Sequence, residues 1–219
     1  HTLLELTKFV DEATGKTILV GNAKDITEQK EHEKMLKEQA MKDPLTGIYN
    51  QMYGKMLINR HLNSKNPFEA CGMILLDIDY FKAVNDHYGH LFGDKIILSL
   101  TDLLKKLFSD KNSVLVRAGG DEFVIFIANI SNIELVRKNV QLMQNIRNIS
   151  FEDNDCRFTC SAGVCYLPEN ISGYSYDQLF ENADIALYKA KERGRNCYVY
   201  CDSLQHFTMM STEHEEYEE

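Results

Sequence analysis

"SVLVRAGGDEFVIFIA", residues 113–128, is two apolar runs meeting at Gly119, Gly120 and Asp121. Gly-Gly and Gly-Asp are turn pairs, because the tight turns that match strand twist need positive φ. The stretch therefore predicts a β-hairpin with Asp121 and Glu122 at its tip. A tip is exposed yet held at both ends, so two acids there can project into a site. Upstream, "CGMILLDID" (71–79) is a nearly continuous apolar run, which reads as a fully buried central strand. Asp77 and Asp79 close its carboxyl end. If this strand neighbours the hairpin, three or four carboxylates converge, and such a cluster repels itself unless a cation sits among them. Oxygen-only ligands favour Mg²⁺ or Mn²⁺, and Mg²⁺ so held offers its remaining positions to phosphates. A lone acid pair at a strand end or a lone Gly-Gly-Asp turn is weak evidence for such a site.

Around these two strands the chain alternates. Residues 51–62 read as a helix, and 95–108 repeat apolar positions at Ile96, Leu100, Leu103, Leu104 and Leu107 on one helical face. Between them, 80–94 is polar and turn-rich. Residues 132–147 form a further helix, "CRFTCSAGVCYL" (156–167) a strand, 176–193 a helix, and "NCYVYC" (196–201) a last strand. Helices interspersed with strands this way predict an α+β fold, an α/β sandwich in which a mixed central β-sheet is flanked by helices. Strand order is not readable from the pattern.

The amino-terminal part has another character. Residues 2–10 and 17–24 read as two strands joined by "DEATGK", a turn with a glycine where positive φ is needed. Such a hairpin is too small to be stable alone, and residues 1–26 read as the last piece of a domain. A charged helix follows, 27–42, capped by Thr27 or Asp25. Its apolar stripe of Ile26, Leu36, Ala40 and Met41 is thin, which suits a connector or half of a weak coiled coil. Asp43-Pro44 ends it, since proline disfavours helix in the residue before it. The alternating helices and strands then run from about residue 50 to 201. Residues 203–219 close the chain with the acidic "STEHEEYEE", expected to be a tail without a core.

Composition sets the outer bounds. Of 219 residues, 44% are hydrophobic and 26% charged, enough to bury a real core. A net charge of -9 argues against binding a nucleic-acid backbone, though local cations can still hold a small anion. No apolar run approaches the roughly 20 residues of a membrane span, so no membrane contact is expected within these residues. The chain opens at His1 inside a strand-like pattern, and it reads as a fragment of a longer protein. The six cysteines lack the paired spacing of zinc sites. Cys156 and Cys160 would share one face of a strand. Reduced cysteines serving as small core hydrophobes fit a cytoplasmic setting.

Five motifs in order, "DPLTGIYN", "DIDYFKAVND", "GHLFGD", "RAGGDEF" and "YKAKERGRN", resemble the GGDEF family of diguanylate cyclases. The resemblance spans about Asp43 to Asp202. "GNAKDITEQK" (21–30) is similar to the last strand of a PAS sensor domain running into a signalling helix. The GGDEF resemblance implies a fold akin to nucleotide cyclases and polymerase palms. It also implies condensation of two GTP into cyclic di-GMP with loss of two pyrophosphates, each 3′-hydroxyl attacking the other GTP's α-phosphate. Two Mg²⁺ or Mn²⁺ per active site would be held by Asp77, the carbonyl of Ile78 and Glu122, with Asp121 beside them to receive the 3′-hydroxyl proton. Backbone amides of Phe81 and Lys82 would face the phosphates, and Lys191 and Arg195, four apart on a helix end, would hold the γ-phosphate. Asn85 and Asp94 would read guanine, a carboxylate accepting from N1–H and N2–H₂ together. Asp79 would orient the strand end; His87 and His90 have no catalytic part. A two-fold symmetric product made by one-GTP domains implies a homodimer. The product-inhibition motif RxxD of many relatives falls here on Asp110, Lys111, Asn112 and Ser113, so that site is expected to be missing. A catalytically inactive GGDEF-like module that binds GTP or cyclic di-GMP is the alternative.

Overall fold

The computed structural model describes residues 1–10, 13, 15, 17–151, 156–202 and 207–210. They divide into two compact units, His1–Met41 and Lys42–Glu219. In the first, β1 (Thr2–Val10) pairs antiparallel with β2 (Thr17–Asp25) along all nine residues, from Thr2↔Asp25 to Val10↔Thr17. Gly15 takes φ +65° in the connection, the conformation its turn requires. Helix α1 (Thr27–Met41) follows, and of the two candidate caps Asp25 is used, its Oδ1 accepting from the Thr27 N–H at 2.9 Å. Leu4, Leu6, Leu19 and Val20 stay exposed on this ribbon.

The second unit opens with a two-residue strand, β3 (Tyr49–Asn50), and α2 (Gln51–Ser64), whose first turn Asn50 caps by accepting from the Tyr53 N–H at 3.0 Å. Then come β4 (Cys71–Ile78), α3 (Phe81–Tyr88), α4 (His90–Leu107), β5 (Ser113–Gly119) and β6 (Glu122–Ala128). The chain continues through α5 (Asn132–Arg147), β7 (Cys160–Leu167), α6 (Tyr176–Glu192), β8 (Tyr198–Asp202) and β9 (Phe207–Met210). The seven-stranded sheet runs β3-β5-β6-β4-β7-β8-β9. Strand β4 is antiparallel to both β6 and β7, whereas β3·β5 and β7·β8 are parallel. The sheet is therefore mixed and helix-flanked, as the pattern predicts.

All eight residues of β4 are buried because helices cover both faces. Alternation splits them. Ile74, Leu76 and Ile78 pack with Ile96, Leu100 and Leu104 of α4 and Leu135 and Leu142 of α5. Met73 and Leu75 pack with Ile58 and Leu62 of α2 and Leu179 and Leu187 of α6. Truncating Ile74 or Leu75 to alanine costs about 2–5 kcal/mol. Gly163 of β7 lets α6 approach closely, since a Cβ there would collide with the Ala183 carbonyl and the Leu187 amide. That contact seats α6 closely against β7.

Four expectations change. Residues 80–94 are not a loop: α3 occupies 81–88 and α4 begins at His90. The strand foreseen from 156 begins at Cys160, so Cys156 precedes it, though it is still buried. The strand β3 carries too few residues to show in a pattern. The coreless tail foreseen for 203–219 holds a strand at Phe207–Met210, antiparallel to β8; 203–206 and 211–219 lie outside the described residues. Of the six cysteines, Cys71, Cys156, Cys160, Cys165 and Cys201 are buried, and burial pushes the Cys71 thiol up to about 12. No described helix is long and apolar enough to cross a membrane.

Candidate active site

Strand β4 ends beside the start of the antiparallel β6, which brings the two acid pairs to one edge. Asp77 stands directly across from Glu122 on one side and Ser161 on the other. The Ile78 N–H points to the Asp121 carbonyl at 3.4 Å, so the hairpin tip closes over the end of β4. Gly120 takes φ +45° to make that turn. Arg117 clamps it: its Nε and Nη2 donate to the Gly120 carbonyl at 3.0 and 2.7 Å, and its Nη1 to Asp43 at 3.0 Å. Burial works against the Asp43 charge, but hydrogen bonds from Thr46 and Arg117 hold its carboxyl below the usual value.

Asp77 is 7% exposed. Burial first, and then the charges of Asp121 and Glu122, push its carboxyl up, while Lys191 opposes them with its Nζ 2.8 Å from Oδ2. Among the described residues no three His, Cys, Asp or Glu side chains stand close enough to hold a metal ion; the foreseen carboxylate cluster is brought to one edge, but its buried member is turned to Lys191. The donor set nonetheless suits a hard cation, because it is oxygen-only and the charges of Asp121 and Glu122 raise the proton affinity of Asp77.

Asp79 has a different task. Its Oδ1 accepts from the Ser161 hydroxyl at 2.7 Å, and its Oδ2 accepts from the Thr159 hydroxyl at 2.7 Å and the Asn196 N–H at 3.0 Å. At 3% exposure and with these donors, it ties the end of β4 to β7 and to the turn after α6. These three bonds engage both carboxylate oxygens within the fold.

Helix α3 starts immediately after β4. Tyr80 precedes it at φ 57° and supplies no side-chain cap, so the first-turn amides of Phe81 and Lys82 form a helix N-terminus without one. Such an end favours anions. On α3, Asn85 packs against Gly93 of α4, where a Cβ would collide with its Oδ1; that Oδ1 is buried without a hydrogen-bond partner. Asp94, next along α4, is half-buried. A buried acceptor left without a donor is uncommon, and Asp94 directly follows the glycine on which it packs. His87 stacks edge-on against Tyr88.

Lys191 and Arg195 do not share a helix face. Helix α6 ends at Glu192, and Gly194 (φ 102°) and Arg195 (φ 66°) turn into the left-handed region. Both side chains still reach the end of β4. Lys191 meets Asp77, and the Arg195 guanidinium lies over the Tyr80 ring at 4.6 Å. At the opposite end of the hairpin, Asp110 pairs with Lys138 at 3.1 Å beside a cavity of about 360 Å³ that Lys111 and Asn112 also line; Ser113 begins β5 there. Sequence reasoning missed Asp43, Arg117, Tyr80 and Gly93. Only the arginine just before the glycine pair carried a signal, a cation next to a turn whose carbonyls need donors.

Residues 40–197 match the family described as diguanylate cyclase, GGDEF domain. The chain belongs to the GGDEF family. Over 192 residues it is 33% identical to the cyclic di-GMP phosphodiesterase PdeR of Escherichia coli K12, covering 86% of this chain and 28% of that protein. Over 161 residues it is 34% identical to the diguanylate cyclase DgcS of Shewanella oneidensis, covering 73% of this chain and 52% of that one. The chain thus spans about half or less of the curated relatives it matches. The coiled coil and GGDEF domain of DgcB from Caulobacter crescentus, solved in complex with c-di-GMP, shares the fold with a TM-score of 0.71 at 22% identity, over 78% of this chain and 91% of that one.

Proposed function

We propose that this GGDEF domain is an active diguanylate cyclase that condenses two GTP into cyclic di-GMP and two pyrophosphates. The observation that carries the reading is the edge where Asp77 opposes Glu122, with the α3 N-terminus, Lys191 and Arg195 around it. A triphosphate laid along that edge meets amides and cations, while its base reaches Asn85 and Asp94. There the orphan Asn85 Oδ1 and the Asp94 carboxylate accept from guanine N–H groups, which adenine does not offer in that arrangement. The 3′-oxygen of one GTP bonds to the α-phosphorus of the other, the bond to the β-phosphate oxygen breaks, and pyrophosphate leaves. Asp121 receives the hydroxyl proton. Asp77, Glu122 and the Ile78 carbonyl would hold two Mg²⁺ or Mn²⁺ ions, which when bound neutralise the leaving group and acidify the hydroxyl.

Each domain holds one GTP, so two must face each other in a homodimer. Residues 1–26 are read as a PAS remnant and α1 as the connector that sets the effective concentration of the two sites. Asp110 stands where an inhibitory dinucleotide would need a cation, and its pairing with Lys138 supports escape from product inhibition by that route. A second reading, a module that binds GTP or cyclic di-GMP without turnover, draws on the PdeR match, since that relative is named for a phosphodiesterase. Incubation with GTP and Mg²⁺, with products identified by chromatography and mass, separates the two. Cyclic di-GMP supports the cyclase; GTP retained unchanged by a protein dimerised through a fused coiled coil supports the module.

A further inference from the structure

Five non-glycine residues take positive φ among the described residues: Tyr80, Asn129, Asn170, Arg195 and Asn196. Asparagine tolerates that region because its short side chain bonds locally; tyrosine and arginine have no such relief. The two unrelieved residues touch each other. The Arg195 guanidinium carbon lies 4.6 Å from the Tyr80 ring centroid, and its Nη1 is 3.4 Å from the Tyr80 hydroxyl. Strain of this kind persists only where surroundings over-determine it, and it gathers at functional sites.

The surroundings here are specific. The Arg195 N–H donates to the Ala190 carbonyl at 3.2 Å, and the Asn196 N–H to Asp79. From the last residue of α5, Arg147 donates through Nε to the Asn196 side-chain oxygen at 2.9 Å and through Nη2 to the Asn196 carbonyl at 2.8 Å. One arginine from a helix outside the acid edge thus grips the turn whose neighbour carries another arginine toward the α3 N-terminus.

We propose that Tyr80 and Arg147 are positioning residues that hold Arg195 ready for the terminal phosphate of a nucleoside triphosphate. The inference rests on the cyclase reading of this site. Arg147 fixes the backbone from which Arg195 projects. Tyr80 fixes the side chain, whose rotamer freedom would otherwise be lost only on binding. A cation held flat on an aromatic face remains free to donate from its edge.

Binding of GTP with a methylene group between its α- and β-phosphates, and of GMP, is measured for wild type, Arg147→Met, Tyr80→Leu, Tyr80→Phe and Arg195→Ala, and for the doubles with Arg195→Ala. The expected result is that Arg147→Met and Tyr80→Leu each weaken the triphosphate analogue about fivefold. GMP affinity stays unchanged, Tyr80→Phe recovers most of the loss, and neither change matters once Arg195 is alanine. Equal weakening of GMP, or full additivity with Arg195→Ala, overturns the proposal. If Arg195→Ala weakens the analogue while neither other variant does, the positioning role falls and the reading of the site stands. If Arg195→Ala binds the analogue as wild type does, the reading of the site falls with it.

Discussion

The two ends of the β5–β6 hairpin are built by opposite means. At the tip, acids are drawn together and partly buried, Gly120 takes positive φ, and Arg117 binds both the turn and Asp43. At the other end, Asp110 is 62% exposed and makes one ion pair with Lys138. Proteins accept buried like charges where a ligand will compensate for them. The solvated end carries no such tension. The difference supports the tip as the site of the proposed chemistry without reference to any relative.

Four changes test that contrast. Glu122→Gln removes a charge from the tip but keeps its shape. It is expected to lower cyclic di-GMP formation by more than about a hundredfold, measured by chromatography, with thermal stability held or raised because repulsion on Asp77 falls. A stable variant with full turnover breaks the contrast. Lys191→Met strips Asp77 of its cation. In metal-free buffer it is expected to lower unfolding free energy by about 2 kcal/mol in urea titrations, less than for a fully buried pair because Lys191 is a third open to water. Asp43→Asn loosens the Arg117 clamp and is expected to cost about 1 kcal/mol at neutral pH. The native Asp43 carboxyl lies below its unfolded value of 3.8. Its contribution is therefore full above that value and lost as pH falls through the native one, so wild type and variant should converge in acid. Asp110→Ala probes the contrast from the other side. It is expected to change stability by about 0.5 kcal/mol at most in the same titrations and to leave turnover intact.

How far these features could be read beforehand depended on whether they were local. An unbroken apolar run ending in Asp77, and a glycine pair followed by Asp121 and Glu122, are local patterns, and both elements stand where they were expected. Helix α3 was hidden because "YFKAVNDHYG" is rich in turn-forming residues. Its support comes from α4, where Asn85 packs on Gly93, and that contact leaves no mark on the apolar pattern. The left-handed path of Arg195 was hidden for a related reason. Spacing places residues 191 and 195 on one helix face only if the helix continues, and Gly194 ends it. Asp79 reads like Asp77 in sequence, two residues apart on a strand end. Only the fold shows that one faces Lys191 and the other Ser161, Thr159 and Asn196. The Arg117–Asp43 pair joins positions 74 apart, which no single-sequence pattern reports.

If the tip makes a phosphodiester bond between two GTP held by facing copies, the rate must depend on how often two copies meet. The initial rate of cyclic di-GMP formation, with saturating GTP and Mg²⁺, is therefore the first quantity to measure, across a wide range of protein concentration. The expected product forms at a rate that rises more steeply than in proportion to protein, and that becomes proportional once a fused coiled coil enforces the dimer. GTP bound but never converted, even by the enforced dimer, would contradict a cyclase at the hairpin tip.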